Sequence, residues 1–181
     1  MASKYTVPGM SEADAQRVAE RLQERLTALI DLMLTLKHIH WNVVGPNFIA
    51  VHEMLDPQVD AVRGMVDDVA ERIATLGFEP QGTPGYVATH RSWEDYSLGR
   101  ASTLEHLAAL DLVYQGVISS HREAIKEFDD LDLVSQDLMI AQAEKLEMFH
   151  WFVRAHLEDK AGRIPIASSE REAARAVAGQ A

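Results

Sequence analysis

Apolar residues recur at steps of three and four over long runs of this chain, and an alternating period of two is absent, so the pattern calls for helices packed on helices and requires no sheet. Ser11 with Asp14 three places on resembles a capping box, and Val18, Leu22, Leu26, Leu29, Met33 and Leu36 follow as one stripe. His40 continues that stripe at the next step. Gly45-Pro46-Asn47 reads as a turn, with Asn47 available to cap a second helix whose stripe runs Phe48, Val51, Leu55, Val59, Val62, Val66, Val69, Ile73 and Leu76. Pro57 inside this run predicts a kink near Glu53 to Pro57. Residues 77–101 form a long link, in which Ser92-Trp93-Glu94-Asp95 reads as the start of a short helix. Ser102 with Glu105 caps a third helix, with Leu107, Leu110, Tyr114, Val117, His121, Ile125 and Phe128 on its inner face. Asp132 or Ser135 caps a fourth, carrying Leu138, Ala141, Leu146, Phe149, Val153 and Leu157 and ending near Gly162. The chain therefore reads as an arm over residues 1–10, an all-α four-helix bundle over 11–160, and a mobile small-residue tail over 161–181.

Composition narrows the chemistry. The 181 residues include no cysteine, which excludes disulfides, thiolate metal sites and thiol catalysis and leaves oxygen and nitrogen as the only metal donors. The first residues lack an apolar secretory core and no stretch is long and charge-free enough for a membrane span, so a cytoplasmic protein is expected. A formal charge of −11 suits a protein that concentrates cations, and nucleic-acid binding would need a local basic segment.

The second helix carries an unusual polar pattern. His52 and Asp56 mirror Asp67 and Glu71 about a midpoint between Ala61 and Val62, and all four fall within an arc of roughly 100°. Asp56 and Asp67 lie roughly 16 Å apart along the axis, too far to share an ion on one helix. An antiparallel crossing of two identical helices near Ala61 would set His52 and Asp56 beside the second copy's acidic pair, in the self-complementary manner of a closed twofold contact. Asp60 and Arg63 obey the same mirror and suggest an ion pair across that axis. The short turn at Pro46 brings His40 to the height of His52, giving two imidazoles and three carboxylates per site. Such a set suits Fe(II), Mn or Zn. The plainer alternative is a solvated acidic helix face, and spacing alone does not decide between the two. Glu147 and His150 make one Glu-x-x-His step, but a bundle-centred di-iron site requires a second, which is absent. His38, His106, His121 and His156 have no ligand-spaced partner, and Trp41, Trp93 and Trp151 read as packing residues, with Trp41 beside the site.

The segments LTLKHIHWNVVGPNF, FIAVHEMLD and DDVAERIATLG resemble the signature of the Dps family, the DNA-binding proteins from starved cells or miniferritins, and of its actinobacterial-type members in particular. The resemblance extends in helix pattern over about residues 11–158. It implies a ferritin-like four-helix bundle whose long crossover joins helices two and three, a homo-dodecameric hollow shell, and a ferroxidase site at each dimer twofold. Carried over residue by residue, His40, His52 and Asp56 of one subunit and Asp67 and Glu71 of its partner would bind Fe(II), with oxidation by hydrogen peroxide preferred over oxygen and ferric oxyhydroxide stored in the shell. Other divalent metals would fit the same ligands. Trp41 would stand by to absorb a stray oxidising equivalent, and Asp132 and Asp137 match the family's acidic threefold pore. Two further functions come into view: non-specific DNA binding, which would place the protein in the nucleoid, and metal-dependent amide hydrolysis at the same site. After Glu158 the tail balances Lys160, Arg163, Arg171 and Arg175 against Asp159, Glu170, Glu172 and the terminal carboxylate, a weak basis for DNA affinity.

Overall fold

The computed structural model describes residues 6–158, 164 and 167–178. Helix α1 (Glu12–Asn42) starts at Ser11, whose hydroxyl accepts from the Asp14 amide at 3.1 Å, and α2 (Phe48–Thr75) folds back against it. Helices α4 (Thr103–Phe128) and α5 (Leu133–Leu157) form the second hairpin of the bundle. The apolar stripes of all four close one core in which Leu22, Leu29, Leu36, Leu55, Val62, Leu107, Leu110, Tyr114 and Phe128 are fully enclosed. The crossover linking α2 to α4 carries α3 (Pro84–His90). Among the described residues no helix is long and apolar enough to cross a membrane.

Several local expectations change. The short helix of the crossover lies at Pro84–His90 rather than at residues 92–95, because Pro84 occupies the first helical position, where its missing N–H costs nothing. Trp93 instead packs against the core from an irregular segment. Asn47 adopts a left-handed conformation (φ 60°) and makes no side-chain cap; the Gly45 carbonyl accepts from the Phe48 amide at 3.2 Å. Helix α2 runs as one helix through Pro57, in keeping with the expectation of a kink there rather than two separate helices. A two-residue parallel bridge joins β1 (Val43–Val44) to β2 (Ala101–Ser102), pairing Val43 with Ala101, so the end of the crossover is stitched to the α1–α2 turn. The stripe of α5 enters through Met139, Gln142 and Ala143 rather than Ala141, which is exposed. Gln142 is admitted to the core because its amide donates to the Met65 carbonyl at 3.2 Å and its oxygen lies 3.4 Å from His121 Nε2. Helix α5 ends at Leu157, ahead of Gly162, which lies outside the described residues.

The expected mobile tail contains an eighth element. Helix α6 (Glu170–Val177), capped by Ser169, buries Ala173, Ala174 and Val177, and its Glu170 carboxylate accepts from the Ser97 amide at 2.7 Å. Small residues allow this helix to lie close on α4, and the rest of the tail falls mostly outside the described residues. At the other end, Val7 and Met10 of the arm also pack on the core.

Two buried polar groups make the bundle sensitive to change. Burial, with the nearby Arg25 charge, lowers His121 from its ordinary 6.5 to about 4. The unfolded chain therefore binds more protons between those values, so the stabilisation is complete above about pH 6.5 and is lost as pH falls toward 4, on the order of 3 kcal/mol. His121→Gln should flatten that part of the acid limb when thermal midpoints are compared across the same pH range. Asp132 caps α5 by accepting from the Val134 and Ser135 amides and pairs with Arg72 of α2 at 2.6 Å. Asp132→Ala should cost about 1–3 kcal/mol, from a lost cap and a half-buried guanidinium left with only the Ser135 hydroxyl as partner, read as a lower unfolding midpoint; Asp132→Asn should recover part of it.

Candidate metal centre

The α1–α2 turn places His40 and His52 face to face, with ring centroids 3.6 Å apart and planes 28° from parallel. His52 Nδ1–H donates to the His40 carbonyl at 3.0 Å, which fixes its tautomer and leaves Nε2 as a free lone pair. Phe48 lies against the His52 ring, its centroid 5.0 Å away and its plane tilted by 39°. His40 is only 8% exposed, and neither of its ring nitrogens has an aligned hydrogen bond. Its Nε2 does lie 3.0 Å from Asp56 Oδ1, close enough for electrostatic contact but out of line for a bond. A buried imidazole whose nitrogens lack aligned hydrogen bonds is an exception among buried polar groups and marks this spot as a candidate site. His40, His52 and Asp56 are thus brought together, as the sequence predicts for one half of the site.

A cation of the chain's own already touches this group. Lys37 Nζ sits 2.7 Å from Asp56 Oδ1, and that hydrogen bond, more than the neighbouring His40, holds the Asp56 carboxyl below the usual range. The carboxylate is therefore ionised and held in place at any physiological pH. Lys37 is absent from the sequence reading, although its position three residues before His40, on the same helix face, was the available signal.

Asp67 and Glu71 stand at the far end of α2, exposed, and among the described residues their side chains take no partner in the chain. Nor do three His, Asp or Glu side chains of one chain, among the described residues, form a group that could hold an ion. Asp60 and Arg63 are exposed on the same helix. Trp41 is 71% exposed and Trp151 is 62% exposed, so neither packs within its own chain as the sequence suggests. Asp132 is committed to its cap and to Arg72, while Asp137 is exposed on α5. His150 is structural: its Nε2 donates to the buried Asp111 at 2.7 Å, and Glu147 pairs with Arg122 at 2.7 Å instead of with a metal partner.

A four-helix bundle with a long crossover, carrying imidazoles and a carboxylate where its first two helices meet, defines the ferritin-like class. The ferritin-like domain model matches residues 19–161, and the chain belongs to that family and, within it, to the Dps proteins. It is 60% identical to the DNA protection during starvation protein of Mycolicibacterium smegmatis over 162 residues, 90% of this chain and 88% of that one. It is 50% identical to the fine tangled pili major subunit of Haemophilus ducreyi over 160 residues, 88% of this chain and 85% of that one. Among solved structures, Mycobacterium smegmatis Dps superposes with a TM-score of 0.91 at 58% identity, covering 95% of this chain and 98% of that one. DpsA14 from Streptomyces coelicolor does so with a TM-score of 0.90 at 57% identity, covering 92% and 99%.

Lys37 would compete with a cation arriving at Asp56 Oδ1. Lys37→Met should tighten anaerobic Fe(II) binding in calorimetric titration and steepen its dependence on added salt, because the site loses a positive charge; looser binding would show that Lys37 serves by holding the carboxylate in place.

Proposed function

We propose that this chain is a ferroxidase and iron store, active as a homo-dodecamer built from twofold dimers. The observation that carries the reading is the division of donors along α2: His52 and Asp56 with His40 at one end, unpartnered Asp67 and Glu71 at the other, in mirror order about Ala61 and Val62. An antiparallel α2–α2 contact joins the two halves into a pair of identical sites, which bind Fe(II) as substrate through His40, His52 and Asp56 of one subunit and Asp67 and Glu71 of the other. Asp60 and Arg63 then face their counterparts near the axis.

Each residue has a chemical task in this reading. His52 offers Nε2 because the His40 carbonyl holds its Nδ1–H, and His40 offers a nitrogen that no hydrogen bond occupies. Asp56, kept ionised by Lys37, supplies negative charge, and hard carboxylate oxygens suit the ferric product as well as Fe(II). Two Fe(II) give two electrons to one hydrogen peroxide, which with two protons leaves as two waters. Pairing the electrons withholds the one-electron step that would release hydroxyl radical. Oxygen serves as a slower oxidant, and ferric oxyhydroxide collects inside the shell. The cell's DNA is spared because iron and peroxide are consumed together, a role in keeping with the name of the M. smegmatis relative. A cytoplasmic protein follows from this role. Direct DNA binding has less support: the described part of the tail sets Arg171 and Arg175 against Glu170 and Glu172, and the chain carries −11.

Complementation between subunits tests the divided site. Shells made only of His52→Ala subunits, or only of Glu71→Gln subunits, should each lose fast peroxide-driven ferric formation. Co-assembled in equal amounts, they should recover roughly a quarter of the sites, because each mixed dimer holds one intact set. A site contained within one subunit would recover nothing.

A further inference from the structure

A cavity of about 140 Å³ lies where α6 meets α4 and α5, and it shares no residue with the candidate metal centre. Its apolar lining includes Leu112 of α4, Leu157 of α5 and Ala173 of α6, and its polar lining is Asp111, Gln115 and Arg154. The volume is close to the roughly 150 Å³ at which an apolar cavity takes up benzene, so there is room for about six heavy atoms. Ala173 helps to open that room, since a larger side chain at its place on α6 would fill it.

Asp111 is 5% exposed, and a carboxylate at that depth is costly unless donors surround it. Three groups do so. His150 Nε2 donates to Oδ1 at 2.7 Å, Arg154 Nε pairs with the same oxygen at 3.2 Å, and the Gln115 amide donates to Oδ2 at 2.6 Å. Burial alone would raise the Asp111 carboxyl; the His150 hydrogen bond and the Arg154 charge outweigh it, so the group lies below its ordinary value and stays ionised. Asp111 thereby holds one edge of the Arg154 guanidinium. The two terminal amino groups make no ion pair among the described residues, and with 45% of the side chain exposed they are within reach of a ligand entering from solvent.

We propose that this cavity binds a small aliphatic carboxylate of roughly four to six carbons, its charged end on the terminal amino groups of Arg154 and its hydrocarbon against Leu112, Leu157 and Ala173. A guanidinium held by one edge offers parallel N–H donors on the other, the geometry that a carboxylate accepts in two bonds at once. An ammonium ligand would meet the Arg154 charge, and both oxygens of Asp111 are already engaged by its donors. A much longer chain exceeds the volume, and acetate lacks the hydrocarbon to use it. Because the lining joins α4 and α5 to α6, the ligand touches the C-terminal helix and the bundle together. Occupancy therefore favours the docked position of α6 by mass action. Binding here is independent of the iron chemistry.

Calorimetric titration of the full-length protein with pentanoate, acetate and pentylamine in turn tests the site. Pentanoate should bind with a dissociation constant on the order of millimolar or tighter. Acetate and pentylamine should bind at least about tenfold more weakly, one for want of hydrocarbon and the other for want of the carboxylate. Arg154→Met, which keeps an apolar stem, should weaken pentanoate by about tenfold or more, the loss expected of a charge-assisted bond. Ala173→Leu, which fills the cavity from α6, should weaken it as well. In the wild type, pentanoate should slow amide hydrogen exchange in α6 and leave α1 unchanged. Pentylamine binding as tightly as pentanoate, no pentanoate binding at tens of millimolar, or undiminished binding by Arg154→Met would overturn the assignment. So would acetate slowing exchange in α6 as much as pentanoate does, which marks a general salt effect. The three-ligand comparison uses the wild type alone, so it stands even if a variant fails to fold.

Discussion

One hydrogen bond between helices, from His52 Nδ1 to the His40 carbonyl, depends on keeping α1 and α2 in a single register, and the candidate chemistry depends on that bond. A shift of either helix by one residue would carry its donor about 1.5 Å along the axis and about 100° around it. The register is held from three directions. Gly45 at φ 94° and Asn47 at φ 60° make the turn tight enough to return the chain at once. The bridge from Val43 to Ala101 fixes the end of α1, and Thr103 donates to the Pro46 carbonyl at 3.0 Å. The apolar stripes below then lock the hairpin through burial, the dominant favourable term in such a bundle.

The crossover and the C-terminal helix act as a brace on the same region. His38 Nε2 donates to the Leu98 carbonyl at 2.8 Å, Asp31 of α1 faces both Arg91 and Trp93, and Glu170 of α6 holds the Ser97 amide. A segment that reads in the sequence as a long connection with a short helix of its own is thereby tied to the histidine-bearing end of α1. These polar contacts lie under partial cover, where a bond left unmade is costly, so the brace tolerates little slippage. The crossover also brings Tyr96 onto His106 of α4, which is fully enclosed.

The helices were legible because each must bury one face, and that need writes a repeat of three or four into the residues. The capping signals at Ser11, Ser102 and Asp132 were legible for a similar reason: the first amides of a helix lack partners, and short oxygen-bearing side chains provide them. Asn47 misled, because asparagine suits a left-handed turn as well as a cap. Gln142 hid in a stripe of apolar neighbours, since a polar residue can enter a core only when its partners, here on α2 and α4, are known. Helix α6 was missed because a run of alanines and charges holds a shape only where a surface receives it. Of the candidate centre, His40, His52 and Asp56 meet as their spacing suggested, whereas Lys37, equally close in the chain, drew no notice as a solvated surface cation would not.

By itself the sequence determined that this chain is built of helices, that no thiolate holds a metal in it, and that the donors of α2 lie too far apart for one helix to use together. Periodicity, composition and the rise of a helix suffice for these, because they are properties of one element at a time. Only the tertiary structure decided that the His40 and His52 rings stack, which nitrogens lack aligned hydrogen bonds, that Lys37 pairs with Asp56, and that Tyr96 of the crossover meets His106 of α4. Those depend on the packing of different elements within ångströms of one another, and no spacing along a single chain encodes that distance.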